Sequence, residues 1–100
     1  MSNFKKNKAH NIVTNKLYNY NQKIIGIWGT NADDNADMEI NKDSIFYVDH
    51  PFKQYYYEVK KDSIYIYIDG FISKSKIMMT DNNHLWLIGY RDTIRFVRIE

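Results

Sequence analysis

No cysteine occurs among the 100 residues of this chain, so a disulfide framework, a thiol nucleophile and a Cys-based metal site are all excluded. Proline occurs once and glycine four times; no glycine-rich phosphate loop can be assembled from so few. No apolar run approaches the roughly 18 residues that mark a membrane-crossing helix. The opening Met1-Ser2-Asn3-Phe4-Lys5-Lys6 lacks the apolar segment of a signal peptide. Localisation is thus expected to be periplasmic or cell-envelope if a leader has been removed, and cytoplasmic otherwise.

Acidic residues are missing from the first 23 positions, which hold Lys5, Lys6, Lys8, Lys16 and Lys23 and so carry +5. Residues 24–100 hold nine Lys or Arg against all twelve acids, a balance of −3. The overall +2 therefore conceals a mildly acidic domain behind a basic leading segment. Phosphate binding needs a positive face, so nucleic acid is not an expected partner. The basic tail is read as solvated, with peripheral association with an anionic membrane as its alternative role.

What the chain has in excess is aromatic side chains, 16% of residues with nine Tyr. Tyr couples apolar area to a polar tip and suits strands with one wet face. Lys42-Asp43-Ser44-Ile45 recurs as Lys61-Asp62-Ser63-Ile64, and each copy leads into alternating aromatic and β-branched residues. Lys-Asp supplies a turn, since Asp tolerates unusual backbone angles, and Ser opens a strand. The pattern predicts strands at 24–30, 37–41, 44–49, 54–60, 63–69, 71–80, 84–89 and 93–99. Connections this short permit only antiparallel neighbours. Val13, Leu17 and Tyr20 at i, i+4 and i+7 predict one or two helical turns within 10–22, and residues 1–9 read as a disordered basic tail.

The expected architecture is one all-β domain over 10–100, an antiparallel up-and-down meander with a short N-terminal helix. Closure into a small barrel would remove exposed edges and is preferred over an open sheet curled on the helix. Strand 71–80 carries Ser73-Lys74-Ser75-Lys76 in its middle and is expected to be partly exposed or bent there.

Gly26-Ile27-Trp28 on the first strand, ahead of a meander that ends in an Arg-bearing strand, resembles the lipocalin and wider calycin pattern. The nearest comparison is with short bacterial lipocalin-like domains, many of them envelope proteins. The resemblance implies that Trp28 plugs the closed end of a barrel. It also implies that a basic side chain from the last strand, Arg98 rather than Arg95, packs across the indole ring. It implies further a non-enzymatic protein for a small apolar or amphipathic ligand, with no cofactor. Strands this short leave room for a small pocket at most.

The aromatic set Tyr55, Tyr57, Tyr65, Tyr67 and Trp86 is the strongest candidate for ligand binding. Tyr55 and Tyr57 share one face of their strand. Tyr65 and Tyr67 oppose Ile64, Ile66 and Ile68, and the sequence leaves open which of those faces is inward. Outward, the two Tyr form a ladder stabilising the sheet; inward, they line a pocket. An exposed Tyr-rich face contacting a protein or glycan is the alternative function. Asp33, Asn35 and Asp37 resemble the start of a calcium loop, but Met38 stands where Gly is required and Ser44 where the bidentate Glu belongs, so no metal site is expected. The histidines His10, His50 and His84 accompany no nucleophile motif, and no catalytic residue is expected.

Overall fold

The computed structural model describes residues 19–30, 35–50 and 52–100. The tail, the helical positions Val13 and Leu17, His10, Asp33 and Pro51 lie outside the described residues. The elements are a helical turn α1 (Tyr20–Lys23), then β1 (Gly26–Gly29), β2 (Met38–Ile40), β3 (Ser44–Tyr47), β4 (Tyr55–Lys60), β5 (Ser63–Ile68), β6 (Phe71–Asp81), β7 (His84–Ile88) and β8 (Thr93–Arg98). The eight strands form a closed antiparallel barrel in sequence order.

Closure is made by β1, which pairs with β2 on one side and with β8 on the other, Trp28 opposite Arg98 and Gly29 opposite Val97. Ile27 N–H donates to the Glu100 carbonyl and Ile99 N–H donates back to the Ile27 carbonyl, each at 2.7 Å. With both edges of the sheet paired, no open ladder is left.

Alternation decides what fills the barrel. Inward positions across the ladders include Trp28, Met38, Ile40, Ile45, Tyr55, Tyr57, Ile64, Ile66, Ile77, Leu85, Leu87 and Phe96, all in the buried core together with Ile24. Trp28, Ile24, Ile45, Ile64 and Leu85 have no exposed surface, and each side chain of that kind contributes about 1.5–3 kcal/mol by leaving water. Tyr20 of α1 packs against the same cluster.

Strand direction gives the barrel two different ends. The turns β2–β3, β4–β5 and β6–β7 lie at the end where β1 begins and β8 finishes; β5–β6, β7–β8 and the longer β1–β2 and β3–β4 connections lie at the other. Both Lys-Asp-Ser-Ile copies therefore sit at one end. They also do the same job: the Asp43 carbonyl accepts from Tyr57 N–H at 3.4 Å, and the Asp62 carbonyl accepts from Ile77 N–H at 2.6 Å. Each turn thereby continues the ladder into the next strand.

The polar middle of β6 is not bent. Its register against β5 runs unbroken from Ser63 opposite Lys76 to Ile68 opposite Phe71, and the irregularity falls at Met79–Asp81 instead. Lys74 and Lys76 are exposed on the outer wall, whereas Ser73 and Ser75 are half-buried on the inner one. The partial exposure expected from sequence is present, carried by the lysines.

Candidate binding site at the barrel mouth

The end where β1 begins is sealed. Trp28 Nε1–H donates to the Ile24 carbonyl at 2.8 Å, which fixes the buried indole against the chain leaving α1. The Arg98 guanidinium carbon lies 4.3 Å from the indole centroid, within the range of a cation–π contact. Its three nitrogens donate to the carbonyls of Asn82 (Nε, 2.7 Å), Ile25 (Nη1, 2.8 Å) and Lys23 (Nη2, 2.8 Å). One side chain thus ties the β6–β7 turn to the chain between α1 and β1. Gly26 has φ of +150°, and a Cβ there would fall 2.3 Å from Arg98 Nη1. Arg95 instead lies over Trp86, 4.6 Å from its ring, on the outer wall.

Tyr57 belongs to the same end. Its hydroxyl reaches the Asn41 and Lys42 carbonyls at 2.5 and 3.1 Å, locking the first Lys-Asp turn. Burial raises its phenol pKa, with nearby Asp43 adding to the effect.

The opposite end is open. One depression of about 230 Å³ is lined by Tyr47, Ile66, Ser73, Ser75, Leu87, Ile94 and the β7–β8 turn Gly89–Asp92. A second of about 330 Å³ is lined by Thr30, Asp37, Met38, Tyr47, Asp49, His50, Ile94 and Phe96. Tyr47 and Ile94 border both, so they stand between two halves of a single mouth. Its apolar lining includes Met38, Ile66, Leu87 and Phe96; its polar lining includes the Ser73, Ser75, Thr30 and Tyr47 hydroxyls together with the ionisable side chains of Asp37, Asp49, His50, Arg91 and Asp92.

Tyr47 is held by Tyr55, whose ring centroid is 5.7 Å away at an interplanar angle of 60°. Burial, and secondarily Tyr55, raise the Tyr47 pKa above the ordinary tyrosine value. A phenol is protonated at neutral pH and can donate a hydrogen bond into the mouth. At the rim, Lys53 and Asp69 form an exposed pair at 3.1 Å between the β3–β4 and β5–β6 connections, where solvent screens the attraction.

The five aromatic candidates do not form one site. Tyr55 is inside, supporting Tyr47 at the mouth. Tyr57 is inside but at the sealed end. Tyr65, Tyr67 and Trp86 are on the outer wall, which resolves the open question of their face. There Tyr67 pairs with Tyr56 at 5.4 Å between ring centroids, and its hydroxyl donates to Glu58 at 2.9 Å. Tyr65 lies under Lys60 and Lys74. The mouth residues that sequence did not single out are Tyr47, Ser73, Ser75 and Ile94. A third depression of about 360 Å³, with Ile27, Glu39, Phe46 and Val48 in its lining, lies on the outer wall of β1–β3.

No group of three or more His, Asp or Glu placed to hold a metal ion occurs among the described residues. Asp37 is used locally, its carboxylate accepting from Thr30 N–H at 2.7 Å and from the Thr30 hydroxyl at 2.9 Å. His84 Nδ1 meets Asp81 at 2.8 Å, and the same carboxylate oxygen accepts from Asn83 N–H at 2.7 Å. The His84 contact first, then the Asn83 bond, lower the Asp81 pKa, and this exposed turn pair lies at the sealed end, far from the mouth. No helix among the described residues is long and apolar enough to cross a membrane. Comparison of the chain with family models, curated proteins and solved structures gives no match.

Proposed function

We propose that this chain is a non-enzymatic binding protein that holds a small apolar or amphipathic ligand at the barrel mouth, in the manner of a short lipocalin-like domain. The observation that carries this reading is the asymmetry of the barrel. One end is sealed by Trp28, Arg98 and Gly26; the other holds two adjoining depressions that combine apolar side chains (Met38, Ile66, Leu87, Phe96) with hydroxyl and charged groups. Such a combination suits a ligand with an apolar body and a polar head. The lipocalin-like assignment rests on the Gly26-Ile27-Trp28 strand and the Arg98 side chain across the indole. The depressions lie at or below the low end of the usual range of roughly 300–1,000 Å³ for ligand sites, so the ligand is small or only partly enclosed.

Native mass spectrometry of protein purified without denaturation tests this directly. An associated mass of a few hundred daltons, absent after organic extraction, supports the reading. Protein that carries no such mass and also fails to enhance the fluorescence of an amphipathic probe counts against it.

A second reading is supported by the exposed Tyr56–Tyr67 pair, 53% and 36% accessible. On this view the outer sheet contacts a protein or a glycan in the cell envelope. Tyr56→Ala together with Tyr67→Ala would then abolish partner capture while leaving probe binding at the mouth intact.

A further inference from the structure

The net charge of −3 over residues 24–100 averages over a segregated surface. On the outer wall of β4–β6, Lys60 lies opposite Ser63, and Ser63 lies opposite Lys76. In the adjoining row Lys74 lies opposite Tyr65. The Lys60 and Lys74 ammonium groups stand 5.4 and 5.6 Å from the centroid of the same Tyr65 ring. Lys61, in the turn beside them, is exposed as well. None of these four lysines takes part in an ion pair, the two among the described residues being Lys53–Asp69 and His84–Asp81. Glu58 lies opposite Tyr65 in the same row and accepts from the Tyr67 hydroxyl, and Asp62 is the acid of the neighbouring turn. Four lysines against Glu58 and Asp62 leave a net +2 around one tyrosine and one serine hydroxyl, a positive face that the domain-wide balance conceals.

We infer that this β4–β6 face docks on an anionic phospholipid bilayer. Charge complementarity requires an anionic partner, and two features select a lipid surface over a nucleic acid. The Tyr65 ring is covered by Lys60 and Lys74, so it offers no free stacking platform for a base. The face is also the outer wall of a closed barrel, whose convex shape meets a flat surface more readily than it encloses a strand. Exposed Tyr67, Ile72 and Met78 border the lysines and supply the aromatic and apolar groups that settle at headgroup level. This inference is independent of the ligand proposed for the mouth.

The test is co-sedimentation of the full chain with phosphatidylcholine vesicles, with and without phosphatidylglycerol. Binding is expected with phosphatidylglycerol only and should be reversed by salt, since the Debye length contracts to about 3 Å at 1 M. At about a fivefold contribution per surface lysine, Lys60→Gln with Lys74→Gln should weaken it roughly 25-fold. These exposed positions should leave the melting temperature unchanged. Three results would overturn the inference: no binding to either vesicle, a doubly substituted face that binds as tightly as the parent while Lys5→Gln, Lys6→Gln and Lys8→Gln abolish binding, or tighter binding of a single-stranded oligonucleotide through the same lysines.

Discussion

Arg98 shows how much one side chain does at the sealed end: it covers the Trp28 ring and satisfies three carbonyls from two separate segments. Trp28→Ala removes a side chain with no exposed surface and should cost about 3–5 kcal/mol, measured by urea denaturation; a neutral outcome would contradict the sealed end. Arg98→Lys keeps the charge but loses the planar fork, and hydrogen bonds to charged groups are worth roughly 1.5–3 kcal/mol each. A drop in stability of at least that size is expected by the same measurement. Tyr47 and Tyr57 link stability to alkaline pH, because burial raises both pKa values. A phenol raised in the folded state stabilises fully below the unfolded value near 10 and loses that contribution as pH rises through the folded value. Denaturation midpoints should therefore be flat from about pH 7 to about pH 9 and fall above pH 10, and Tyr47→Phe should make that fall shallower. The Trp28–Arg98 pair was legible in the sequence, because a G-x-W strand and the antiparallel return of the last strand suffice to bring the two together. Tyr47 was not legible. Ser44-Ile45-Phe46-Tyr47 places aromatic residues on both faces, and only the register with Met38 turns Tyr47 inward; its spacing of two from Ile45 was the available signal.

Among the elements, the turns were the most readable part and β6 the least. Two Lys-Asp-Ser-Ile copies gave strand starts at Ser44 and Ser63 that the structure bears out. Asp69-Gly70 has positive φ at both residues, +31° and +96°, the backbone that matches strand twist in a two-residue hairpin. A Cβ on Gly70 would meet nothing within 4 Å. Gly70→Ala should therefore cost about 1–2 kcal/mol through backbone conformation alone, with the mouth retained. Lys61 also sits at positive φ, 56°, and Lys61→Asn should be neutral to stabilising by up to about 1 kcal/mol, read as a raised melting temperature. In β6 the inward row is Ile77, Ser75 and Ser73, so apolar alternation gives way to small polar groups toward the mouth. A rule that expects apolar residues inside reads that stretch as exposed; alternation of Ser with Lys was the weaker sign that one of the two faces turns inward.

At the scale of the whole molecule, closure followed from strand number and short connections, while the position of the site followed from neither. Placing it required strand direction, which puts Trp28 and Arg98 at one end and Ser73, Ser75 and Ile94 at the other, and no inspection of residue types alone supplies that. The five aromatic candidates spread over the mouth, the sealed end and the outer wall because they were chosen by residue type before register was known. The central claim is a barrel sealed at one end that takes a ligand at the other. Its most direct test is equilibrium titration of a fluorescent fatty acid into the native chain and into Ser75→Trp, which fills the mouth from β6. Saturable one-to-one binding, lost in Ser75→Trp and kept in Tyr67→Ala on the outer wall, is the predicted result. Equal binding by native protein and Ser75→Trp, or loss in Tyr67→Ala alone, would contradict it.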